Sequence, residues 1–160
     1  MKKNLTIFIQ IVIVALGVGA LAFLLWEPHI EGRNVNATLF EIYFKDWFLA
    51  YAYIASIPFF VALYQAFKVL GLARSGEVFS EKALKALHIM KYCGVIMIGF
   101  VFVGEIFILS SNNGGEDRPP AVFMGLIVIL VSGTIAIVAR KFERILQKTM
   151  GIKSEKNLIV

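Results

Sequence analysis

The chain has almost none of the side chains from which enzyme sites are built. It holds one cysteine and two histidines in 160 residues. Cys93 therefore has no internal disulfide partner and reads as a buried structural thiol. His29 and His88 fall on opposite sides of the membrane in the topology below, so they cannot share a site. No Gly-x-Ser-x-Gly, His-Glu-x-x-His or phosphate-cradling glycine loop is present. Glu27-Pro28-His29-Ile30-Glu31 gathers three ligand-type side chains but has no second His or Cys to complete a metal set. These absences argue against an enzyme, a metal site or a cofactor.

Charge is also scarce, at 17% of residues, while 59% are hydrophobic. The apolar residues come in uninterrupted blocks, and a block of about 18 or more with few charges reads as a membrane-spanning helix. Four such blocks occur, at 5–26, 47–70, 89–111 and 121–139. Met1-Lys2-Lys3-Asn4 resembles the start of a signal peptide, but the first block is too long for one and reads as an uncleaved span. The expected fold is all-α, an integral membrane bundle of four transmembrane helices in a single domain. Loops at 27–46 and 112–120 face outward, a turn at 71–88 faces inward, and a tail at 140–160 follows the last span.

The net charge of +5 is a topological signal. With both ends inside, thirteen of the sixteen Lys and Arg lie on the inner side; Arg33, Lys45 and Arg118 are the exceptions. The positive-inside rule then predicts both termini cytoplasmic, in a bacterial inner membrane. The basicity therefore implies no direct nucleic-acid binding.

The most carefully written stretch is the inner turn, Gly76-Glu77-Val78-Phe79-Ser80-Glu81-Lys82-Ala83-Leu84-Lys85. Ser80 is a helix N-cap type, and Phe79 before it is expected to pack over Leu84 as a hydrophobic staple. Glu81 and Lys85 follow in favourable i,i+4 order, with Lys82 to water. Pro58 is expected to kink the second span. Gly94, Gly99 and Gly104, five residues apart, rotate around the third helix and imply several close contacts.

Glu105 is the one acid inside an apolar run, which makes it a functional candidate with Tyr43, Tyr51 or Arg118 as expected partners. After Arg140 the pattern becomes amphipathic. Phe142, Ile145, Leu146 and Thr149 form one face, and Lys141, Arg144 and Lys148 another, with Gly151 expected to close the helix. Small residues of the second and fourth spans, among them Ser132, Gly133 and Ala136, suggest close helix packing or a homodimer.

The unit of Gly76, Phe79 and Ser80, followed by leucines at helical spacing between spans two and three, resembles the bacterial membrane family named domain of unknown function 2975. The four-span layout and the length agree with it. The resemblance implies no established activity, and a frequent gene neighbour that encodes a small helix-turn-helix regulator of the Xre type. The functional expectation is a non-enzymatic membrane regulator or sensor that acts on such a partner through its basic cytoplasmic surface. The alternatives are an oligomeric small exporter or ion-coupled transporter using Glu105, or an immunity-type protein against membrane-active peptides.

Overall fold

The computed structural model describes residues 3–30, 38, 47–110 and 118–158. The residues at 31–37, 39–46 and 111–117, among them Tyr43, lie outside them. The side chains of Glu27, Pro28 and His29 do also.

Among the described residues there are four helices and no strand: α1 (Lys3–Ile30), α2 (Trp47–Ser75), α3 (Glu81–Ser110) and α4 (Arg118–Leu158). Each is long and apolar enough to cross a membrane. Packing follows chain order, with the most extensive contact between α3 and α4, then α2 and α3, then α1 and α2. Paired positions run in opposite directions throughout. Tyr53 donates to the Leu24 carbonyl and Gln10 to that of Phe67, so α1 and α2 are antiparallel. Tyr51 on α2 donates to the Phe100 carbonyl on α3. The helix of α2 continues through Pro58.

The connection between α2 and α3 is made of two caps. Gly76 adopts φ +82°, the left-handed conformation that side chains disfavour. This lets Glu77 N–H donate back to the Leu72 carbonyl at 2.9 Å, the closing bond of a Schellman motif. Ser80 then accepts the Ala83 amide on its hydroxyl at 3.2 Å and starts α3. The expected staple does not form with Phe79, which is 55% exposed. Val78, one residue earlier, is the one packed inward, beside Leu72 and Leu84.

The packed core lies off-centre. Ala83, Leu87 and Leu146 form it, with Val69, Leu72, Val78, Leu84 and Met90 around them. Every buried side chain among the described residues lies at the level of Gly94 and Ser132 or on the basic side of it. At the opposite end Tyr51 and Tyr53 tie neighbouring helices together through the Phe100 and Leu24 carbonyls.

The fourth helix departs from expectation in two ways. It does not close at Gly151 but runs unbroken to Leu158. Nor do Phe142, Ile145 and Leu146 share a face: Leu146 is buried, while Phe142 and Ile145 are more than half exposed. The inward stripe is Ser132, Ala136, Ala139, Glu143 and Leu146, a four-three alternation that keeps it against α3.

Candidate functional site

The α3–α4 interface carries the two acidic residues that the structure makes unusual, one toward each end. On α3 the facing stripe is Leu87, Lys91, Gly94, Ile98, Val101 and Glu105, again spaced four and three. The closest approach is at its middle. A methyl group added to Gly94 would lie 2.8 Å from the Ser132 carbonyl oxygen and 3.0 Å from the Ala136 side chain. Ser132 and Ala136 are thus consumed within the chain, which removes them from any homodimer seam. Of the other two glycines on α3, Gly104 faces the Tyr51 ring and Gly99 faces open space.

At the basic end Glu143 is buried, 5% exposed, and both its oxygens are engaged. Oε1 lies 2.6 Å from His88 Nδ1 and Oε2 accepts from Lys91 Nζ at 2.7 Å. An ionised carboxylate only accepts, so the short contact places the ring hydrogen of His88 on Nδ1. Lys91 also stands over the Tyr92 ring, 4.9 Å from its centre, and His88 meets the same ring edge-on. Glu143 lies one turn beyond Ala139, where the apolar segment of α4 ends. Burial by itself raises its carboxyl pKa, but the hydrogen bonds and positive charge of Lys91 and His88 outweigh that and hold it below the usual carboxylate range.

Sequence reasoning passed over this cluster because Glu143 stands among Arg140, Lys141, Arg144 and Lys148 and reads as one more solvated charge. The signal was available, since Glu143 continues the small-residue stripe of Ser132, Ala136 and Ala139 at the same spacing.

At the other end Glu105 meets α4 at Gly125. A methyl group on Gly125 would overlap the Glu105 carboxyl, whose Cδ would lie 2.7 Å from the added carbon. The glycine is therefore a notch that the carboxyl fills. Oε2 of Glu105 is buried and has no hydrogen-bond partner among the described residues. Tyr51, one expected partner, gives its hydroxyl to Phe100 instead. Tyr43 and the Arg118 side chain lie outside the described residues.

The remaining predicted residues sit at the basic end without converging on a pocket. Lys82, Lys85, Lys141, Arg144 and Lys148 are exposed, as are Phe79, Phe142 and Ile145. Gly76 and Ser80 form the turn, and Leu84 supports its core.

A protein-family model described as a protein of unknown function, DUF2975, matches residues 20–160. The chain belongs to the DUF2975 family. Its relatives include the uncharacterized membrane protein YoaS of Bacillus subtilis (strain 168), 35% identical over 164 residues that cover the whole of both chains. No solved structure matches. This member of DUF2975 is accordingly a membrane protein of a family without an assigned activity.

Proposed function

We propose that this DUF2975 protein is a non-enzymatic regulator or sensor of the bacterial inner membrane, with both termini cytoplasmic. Its cytoplasmic end is a rigid docking platform. The observation that carries this reading is the location of the core. The most tightly packed residues and the Glu143 ion cluster gather at the basic end, continuing beyond the apolar segments of α2 and α4. A chain that only had to cross the bilayer has no need of a buried core and ion cluster there. On its surface Phe79, Phe142 and Ile145 stand exposed among Lys82, Lys85, Arg144 and Lys148, the mixture of apolar and basic groups that a protein partner reads. The partner we propose is a small cytosolic helix-turn-helix regulator of the Xre type.

The test replaces Phe79 and Phe142 together by alanine, both exposed, and measures co-purification with such a regulator encoded beside this gene. Capture falls several-fold while thermal stability is kept. Unchanged capture overturns the platform reading. The orientation is tested separately. A reporter active only in the periplasm is silent when fused after Val160 and active when inserted at Asn113.

A second reading, an oligomeric exporter or ion-coupled transporter, is favoured by Glu105, whose Oε2 has no hydrogen-bond partner among the described residues. Flux into proteoliposomes that Glu105→Gln leaves untouched removes it. The immunity-type reading has no separate observation in its favour.

A further inference from the structure

Glu105 is the one acidic or basic side chain between Asn4 and Trp26 of α1, Trp47 and Phe67 of α2, Tyr92 and Ser110 of α3, and Val122 and Ala139 of α4. The titratable group that α2 brings nearest is Tyr51, beside Gly104, with its hydroxyl already given to Phe100. What α4 presents to the carboxyl is a glycine, and Val101 of α3 flanks the same notch. The next carboxylate along the interface is Glu143, 18 positions from Gly125 on α4, hence about 27 Å away at 1.5 Å per residue. Glu143 is held by Lys91 and His88, whereas Oε2 of Glu105 has no hydrogen-bond partner among the described residues.

A carboxyl group within a membrane-spanning helix is costly there and marks a site where a positive charge can be held. Glu105 is placed to hold one. It lies five positions from Ser110, where α3 ends, a rise of about 7.5 Å. A cation that reaches this end of the bundle therefore has a short path to it. Gly125 gives the carboxyl a seat of defined shape.

We propose that the Glu105 carboxyl, seated in the Gly125 notch, is an exchangeable cation site that holds a proton or one small monovalent cation in its place. The site works the same way whether or not the basic end docks a partner, and it requires no transport.

Dicyclohexylcarbodiimide, an apolar reagent that modifies protonated carboxyl groups reached through lipid, tests this on the full-length protein in proteoliposomes. Attachment at each acid is read by mass spectrometry of peptides. Glu105 is modified in the folded protein, and Glu143, ionised between Lys91 and His88, is not. The rate at Glu105 falls by about tenfold per pH unit once the carboxyl ionises. If sodium or potassium at constant ionic strength slows it several-fold more, the larger cation shares the site; if neither does, the site is for protons. Glu105→Asp, whose shorter side chain withdraws from the notch, reacts several-fold more slowly. Gly125→Ala, which fills the notch, moves the pH midpoint. The proposal is overturned if Glu105 stays unmodified in the folded protein yet reacts after unfolding in strong detergent. A rate indifferent to both pH and cations overturns it equally.

Discussion

Lys91 on α3 and Glu143 on α4 stand 2.7 Å apart, joining the two helices at the basic end of their interface. The carboxylate is almost fully covered, so water competes little for either partner. Removing one partner of a buried pair leaves an uncompensated charge and costs about 3–5 kcal/mol. Glu143→Ala should therefore lower the thermal stability of the protein in mild detergent sharply. Replacing Glu143 and Lys91 together by leucine should recover most of that loss, because no buried charge is then stranded.

Acid should uncover the same cluster. The folded-state carboxyl of Glu143 titrates below its unfolded value, so its contribution is full above the unfolded value of about 4.3 and is lost as pH falls through the folded one. Melting temperatures of the native protein and Glu143→Gln should differ at neutral pH and converge in strong acid. A gap that stayed constant across that range would contradict the pairing.

The interface between α3 and α4 is sensitive at one glycine and tolerant at another. Gly94→Ala places its methyl against the Ser132 carbonyl and should cost about 1–3 kcal/mol, the range for overpacking. Gly99→Ala meets open space and should stabilise the helix by about 0.5–1 kcal/mol. Chemical or thermal unfolding of the two variants side by side checks the contrast.

For the turn, burial and capping set the order of damage. Phe79→Ala should change stability by no more than about 0.5 kcal/mol, as is usual for exposed positions. Ser80→Ala should cost about 0.5–2 kcal/mol through the lost cap. Leu146→Ala, in the core, should cost about 2–5 kcal/mol. A Phe79→Ala variant more damaged than Leu146→Ala would show that the aromatic ring is structural after all.

The spans and the helix-starting role of Ser80 were legible because each is written in one residue type or one uninterrupted run. Apolar length declares a span, and a serine before a helical pattern declares a cap. Which side of a turn faces the core is set by a backbone bond, here Glu77 to Leu72, so Val78 and Phe79 could not be ordered from their identities. Glu143 and Glu105 illustrate a second limit. The acid that stood out in an apolar run was noticed, while the one hidden among basic residues was not. What separates them physically is their neighbours on the facing helix, a lysine and a histidine in one case and a glycine in the other.

The continuity of α4 has a mechanical consequence. Its 41 residues make a rod of about 60 Å, twice the thickness of the hydrocarbon layer. From Ala139 to Leu158 some 28 Å of it extends past the apolar segment. A helix without a joint transmits twist as well as position. A rotation of the apolar segment of α4 is thus carried along the same helix toward Leu158. The protein carries its own driveshaft, and its far tip is where a force gauge or an orientation-sensitive label would read what happens inside the bilayer.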